Sequence, residues 1–191
     1  MPIRNLMKNV EELKLHIIDN KFCKNMEEER LANLAYELWR EVWERTFRDL
    51  KVNHKLNSDD FLDRTMIALF HGEEPAGLIF HREFDQEKVR DLDHSYFNNY
   101  PRQVIQNIKD LGHTKILTSG YRTVNPNWRN ALTNVPVFEV LLGLSIHEFL
   151  KTTATGMLSY SRRDKAMHES RYRHGADPIL VDAVAYNVGV D

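Results

Sequence analysis

Five basic residues crowd one stretch near the C-terminal end of this sequence: Arg162, Arg163, Lys165, Arg171 and Arg173. Charges packed this closely form either a solvated face or a dock for an acidic partner, phosphates or an acidic protein. The nine histidines invite a metal reading. His168 and His174 do not have the i, i+4 spacing that sets two ligands on one helical face, and no H-E-x-x-H run occurs. No metal site is expected. The single cysteine, Cys23, excludes an internal disulfide and a thiolate-built metal site. G-x-S-x-G is absent, so a serine hydrolase has no nucleophile elbow here.

The aromatic residues are the second chemical signal. Trp39, Trp43 and Phe47 recur every four residues, beside a helical face of Leu31, Leu34, Ala35, Leu38, Val42 and Thr46. Packing against two neighbouring elements accounts for such a broad surface. The sharper reading puts Trp39 and Trp43 in the wall of a pocket for an apolar substrate. Tyr96, Phe97 and Tyr100 close a charged, aperiodic stretch from Arg82 to Asn99 and are candidates for a substrate entrance.

The elements that must position these groups follow from periodicity. Leu13, Leu15 and Ile17 alternate with polar residues as a half-buried first strand. Asn25, followed by Glu27, Glu28 and Glu29, opens a helix running to about Leu50. Two apolar runs, Thr65–Phe70 and Ala76–His81, flank a Gly/Pro-containing turn and read as a hairpin covered on both faces. Pro101 starts and Gly112 stops a further helix. From Lys115 to Ala176 the pattern is strand, loop, helix, strand, helix. Such a unit makes a cofactor pocket where its strand ends and its helix begins.

Within the strand from Lys115 to Val124, Thr118, Ser119 and Gly120 interrupt the aliphatic run. A glycine there marks a bulge or a close backbone approach. Asn134 is placed to cap the next helix, which is apolar nearly all round and so buried. A short strand over 154–160 and a helix from Ser161 to His174 follow. The basic outer face of that helix precedes Gly175, and a last strand begins after Pro178. A short helix is expected within residues 1–12.

The length of 191 residues suits one domain with its own core. A net charge of −2 gives no basic field for nucleic acid. No run is long and apolar enough for a membrane span, and the N-terminal stretch has no signal-peptide core. A cytoplasmic location is the expectation.

The order of elements, Val124-x-Pro126-x-x-Arg129 after the central strand and Tyr172-x-x-Gly175 closing the last helix resemble the GNAT acyltransferase superfamily over essentially the whole chain. That resemblance implies one α/β (α+β) domain over residues 1–191. Its mixed central sheet has splayed central strands flanked by helices, and an acyl thioester enters the gap. A bulge matching Ser119-Gly120-Tyr121 would hold the thioester carbonyl on a backbone N–H. The donor site implied comprises Ser119, Gly120, Tyr121, Val124, Arg129, Asn130 and Asn134, with Arg162, Arg163 and Arg171 as the phosphate or carrier dock. His81 and Glu83, at a hairpin strand end, become the candidate bases and Tyr172 the proton donor. Glu139 and His147 fall behind the sheet as structural groups.

The sequence departs from the family's pyrophosphate loop, Q/R-x-x-G-x-G/A, where Leu132 and Asn134 replace both glycines. Glycine serves there because backbone amides must approach phosphate with no side chain between. His168-x-x-x-Tyr172-Arg173-x-Gly175 is instead similar to the N-acyl amino acid synthase and acyl-homoserine lactone synthase branch. The expectation is therefore an N-acyltransferase moving an acyl group to the amine of an amino acid or small metabolite. Its donor is acyl carrier protein first and acyl-CoA second. The alternative is a catalytically silent acyl-binding or protein-interaction module on the same fold.

Overall fold

The computed structural model describes residues 12–51, 55–98, 100–129, 135–161 and 167–179. In chain order these hold β1 (Lys14–Asp19), α1 (Met26–Asp49), α2 (Asp59–Leu62), β2 (Thr65–His71) and β3 (Glu74–Asp85). Then come α3 (Val89–Leu92), α4 (Ser95–Asn98), α5 (Arg102–Asp110), β4 (Lys115–Val124) and α6 (Pro126–Arg129). The chain continues with α7 (Val137–Phe149), β5 (Gly156–Leu158) and α8 (Met167–Arg173). The helix expected within residues 1–12 and the strand expected after Pro178 fall almost wholly outside the described residues.

The five strands form one sheet in sequence order. Every neighbouring pair is antiparallel except β4 and β5, which run parallel in the register Ile116–Gly156 to Thr118–Leu158. This mixed sheet, flanked by helices, is the architecture expected. The parallel contact between the segments 115–124 and 154–160 is also as expected.

α1 starts where the sequence places it. The Asn25 side chain accepts from the Glu28 N–H at 2.9 Å, satisfying one of the free amides of the first turn. Its inner face joins Leu31, Ala35, Leu38 and Trp39 to Phe61 and to Met66, Phe70, Leu78 and Phe80 of the hairpin. α7 covers the opposite face, where Val137 and Leu141 meet Ile67, Leu69 and Ile79. Gly77 permits that approach: a Cβ there would lie 2.8 Å from the Thr123 carbonyl oxygen and 3.0 Å from Leu141. α5 closes a third cluster through Val104 and Ile108, against Phe84, Phe97 and Ile116.

Three expectations change. β1 buries Ile18 and half-buries His16 beneath α1, whereas Leu15 and Ile17 stay exposed. The alternation was read on the wrong face because the covering helix lies on the side of the even-numbered residues. α7 begins at Val137 with Pro136 at its cap position, not at Asn134, which lies outside the described residues. α7 is also buried on one side only, through Val137, Leu141, Leu142 and Ser145, since a single sheet face receives it.

Candidate active site

The site begins with an irregularity in β4. Pairing with β3 is regular from Asp85–Lys115 to Phe80–Gly120, then slips, and the next pair is Leu78–Thr123. One β3 residue, Ile79, therefore spans Tyr121 and Arg122, which is a β-bulge. Tyr121 has φ +49, a left-handed conformation rare for a residue with a Cβ. Such backbone costs about 1–3 kcal/mol and persists only where packing enforces it. Here the ring stands edge-on to Trp39 at 5.5 Å and Trp43 at 5.0 Å, and its hydroxyl donates to Asp60 at 3.4 Å. Burial, with the Asp60 carboxylate beside it, pushes that hydroxyl's pKa up.

The bulge falls where the sequence suggested, but its special residue does not. Gly120 is not left-handed, and a Cβ on it would make only an ordinary 3.8 Å contact with Arg64. Tyr121 carries the conformation instead. The extra residue also resets the side-chain alternation. Positions 119 and 122 would point to opposite faces of a regular strand. Yet Ser119 reaches Ser145 of α7 and Arg122 lies over Phe138 of α7.

β5 leaves β4 after Thr118–Leu158, whereas β4 continues to Val124. Beyond that point a cleft of about 640 Å³ opens. One wall is β4 from Gly120 to Arg122, and the other is Tyr160, Met167 and Arg171. Arg129 and the first turn of α7 close one end, while Trp43 and Thr46 of α1 roof it. Trp43 Nε1 donates to Thr123 Oγ1 at 2.9 Å, tying the roof to the strand.

The electrostatics of the cleft are lopsided. Arg122 and Arg171 both line it. Arg122 Nε and Nη1 and Arg171 Nε are buried with no hydrogen-bond partner. Among the described residues neither arginine has an ion-pair partner. Burial lowers the Arg122 pKa to about 10, the like charge of Arg171 adds to this, and the Glu139 carboxylate opposes it in part. Burial also lowers Arg171. Tyr160 stacks on Tyr100 at 4.2 Å, and Tyr100 donates to Tyr96 at 2.6 Å. Burial first, then Tyr96, pushes the Tyr160 pKa up, so its hydroxyl keeps its proton at neutral pH.

The cleft thus gathers Gly120, Tyr121, Val124, Arg129, Arg171 and Trp43 from the sequence candidates. Other candidates lie elsewhere. His81 is not at a strand end: β3 runs on to Asp85, and His81 is buried against α7. Its ring contacts Ser145 Oγ at 2.5 Å, and burial lowers its pKa to about 4. Ser119 belongs to the same chain through Ser145, at 3.2 Å, and does not line the cleft. Glu83 is exposed near the far end of β4, opposite Leu117, where Thr153 donates to it at 3.0 Å. Trp39 and Phe97 are core residues, and Tyr96 packs half-buried beside Arg64. Tyr172 is 44% exposed, contacts His168 and does not line the cleft.

The outer basic face also changes. Arg171 turns inward, and Arg173 is held by Glu139 at 3.1 Å, together with Ser170 and His174. Glu139 is structural, as expected, clamping α8 to α7. Asn130, Asn134, Arg162 and Arg163 lie outside the described residues. The groups missed from sequence are Arg122 and Tyr160. A charged residue in a strand flanked by apolar runs was the available signal for the first. For the second it was a tyrosine at the end of the short strand expected over 154–160. Among the described residues no cluster of three or more potential metal ligands occurs.

No protein-family model matches this sequence, and no curated protein matches it. Solved structures do resemble it. An aminoglycoside acetyltransferase, meta-AAC0020, from an uncultured soil metagenomic sample matches at a TM-score of 0.51 and 10% identity in its complex with trehalose. The same enzyme with sisomicin matches at 0.50 and 9% identity, and in both cases 91% of this chain and 93% of the other are covered. A GCN5-related N-acetyltransferase from Ralstonia eutropha JMP134 matches at 0.48 and 13% identity, over 91% of this chain and 99% of that one. The mixed five-stranded sheet with its flanking helices matches the GNAT fold of these N-acetyltransferases.

Proposed function

We propose that this chain is an N-acyltransferase that takes an acyl thioester into the cleft between β4 and β5. The observation that carries the reading is the left-handed Tyr121 bulge facing the point where β5 leaves β4, on the fold of N-acetyltransferases. Past Thr118 the β4 edge has no strand partner among the described residues, so its backbone amides are available to an extended amide-bearing arm such as phosphopantetheine.

In the reaction an amine nitrogen attacks the thioester carbonyl carbon. A C–N bond forms, the C–S bond breaks, the nitrogen loses a proton and the leaving thiolate gains one. A backbone N–H at the bulge stabilises the developing oxyanion, fixed in place by the packing of Tyr121. Tyr160, in the cleft wall and protonated at neutral pH, supplies the thiolate's proton in place of Tyr172. Acyl-CoA stands ahead of acyl carrier protein as donor. Arg171 and Arg173, two of the arginines expected to dock a carrier, are turned inward or held by Glu139.

The test incubates the protein with acetyl-CoA and hexanoyl-CoA and a mixture of amino acids and small amines. Thiol release is followed, and N-acyl products are identified by mass. Amine-dependent thiol release with a matching amide product is expected. Tight thioester binding with no amine-dependent release would identify a silent acyl-binding module instead.

A further inference from the structure

Arg122 and Arg171 pose a physical problem. Two guanidinium groups line one cleft, three of their nitrogens are buried without partners, and no carboxylate pairs with either among the described residues. An unpaired buried charge is destabilising, and a neighbouring like charge adds to that. The other buried or half-buried arginines among the described residues are satisfied. Arg64 donates to the Asp60 carbonyl and lies between the Tyr96 and Tyr121 rings, and Arg82 pairs with Asp63. The fold therefore solves the problem at other sites and leaves it open in the cleft.

Arg122 is also held in place by neutral contacts. The Arg122 guanidinium lies 5.6 Å from the centre of the Phe138 ring, and its Nη2 lies 3.9 Å from Met167 Sδ. The bulge at Tyr121 turns Arg122 to this side of the sheet. The two guanidinium groups thus share one cleft without an ion-pair partner, and a planar oxyanion is the kind of group that completes a guanidinium with bidentate hydrogen bonds. Their position next to the bulge puts that oxyanion at the reacting end of the cleft.

We infer that Arg122 and Arg171 bind a carboxylate of the substrate, so that the acceptor is an amino acid held by its carboxylate with its amine toward the bulge. The assignment of the carboxylate to the acceptor rests on the acyltransferase reading; the binding of a carboxylate by the pair does not. Selection follows from chemistry. An amine without a carboxylate leaves both guanidinium groups unpaired, and an amino-acid amide offers a neutral group in the same place.

The test is equilibrium binding without any acyl donor, using N-acetyl-L-leucine as a product-like probe, its amide as the neutral control, and inorganic pyrophosphate. The acid should bind about tenfold or more tightly than the amide, the size expected when charge-assisted bonds are lost. In the Arg122→Gln/Arg171→Gln protein this preference should fall to about twofold or less. Equal affinity for acid and amide in the unaltered protein overturns the inference. So does pyrophosphate binding that exceeds acid binding and is lost with the same substitutions, because the pair would then serve phosphate.

Melting temperature gives a second, ligand-free readout. Arg122→Met keeps the stem packed on Phe138 and removes the unpaired charge, so the melting temperature should hold or rise. A clear drop would make Arg122 a structural group and overturn the inference. Acid-selective binding without turnover would leave the carboxylate site intact and count against the acyltransferase reading alone.

Discussion

Two polar clusters lie where the sheet meets α7, and they are built to opposite rules. His81, Ser145 and Ser119 form a closed chain, with the His81 ring on Ser145 at 2.5 Å and the two serines 3.2 Å apart. All three are at most 5% exposed. Arg122, in the bulge, and Arg171 of α8 have buried nitrogens without partners and line a cleft. From composition the first resembles catalytic machinery and the second a surface. Their satisfaction reverses that. Polar groups that complete one another's hydrogen bonds inside a core serve the fold. Polar groups left incomplete beside a cavity stay open to a ligand that enters it.

The largest expected effect comes from the closed cluster. His81 is buried as the neutral ring, with a pKa lowered to about 4. Its folded pKa lies below the ordinary value of about 6.5, so the unfolded chain binds the proton first as pH falls. The stabilisation is whole above pH ~6.5 and is lost progressively down to pH ~4, about 3 kcal/mol in all. Urea unfolding at stepped pH should show this loss, and His81→Gln should remove most of the slope in that window. Coincident slopes for the two proteins would show that His81 is not buried as the neutral ring, and the contrast with the arginines would fail.

The next effect belongs to the open side. If Tyr160 protonates the leaving thiolate, Tyr160→Phe should lower turnover by ~10²-fold with the melting temperature little changed. Tyr172→Phe, on an exposed ring outside the cleft, should leave turnover within about twofold of the unaltered protein. The opposite result would return the role to Tyr172 and shift the reacting end of the cleft toward α8.

Most of the fold was legible because it follows from local pattern. Asn25 capping α1, the hairpin around Gly72, the strand from Lys115 to Val124 and Gly175 after α8 each carry a signal within a few residues. The candidate site was legible in part. Ser119 and Gly120 flagged the bulge, but which residue turns left-handed depends on Trp39, Trp43 and Asp60, which are distant in sequence. That bulge hid Arg122, because one extra residue switches every later side chain to the other face. The inward turn of Arg171 was hidden for a related reason. A short helix with charges all round does not show from sequence which charge turns inward, and here Glu139 and Ser170 set its phase.

The smallest effect sharpens the contrast most directly. Ser145→Ala removes the central member of the closed chain. His81 Nε2 and Ser119 Oγ both lose a partner, in a region that water does not reach. A buried polar group deprived of its partner costs about 1–3 kcal/mol, and the small change in volume adds little. The expected loss is therefore about 1–2 kcal/mol in urea unfolding at pH 7, because His81 remains neutral and retains its packing. Turnover at saturating substrate should stay within about twofold, since nothing in the closed chain lines the cleft. A fall of about tenfold or more in turnover with unchanged stability would mean that the chain relays protons, and the two clusters would then be parts of one site.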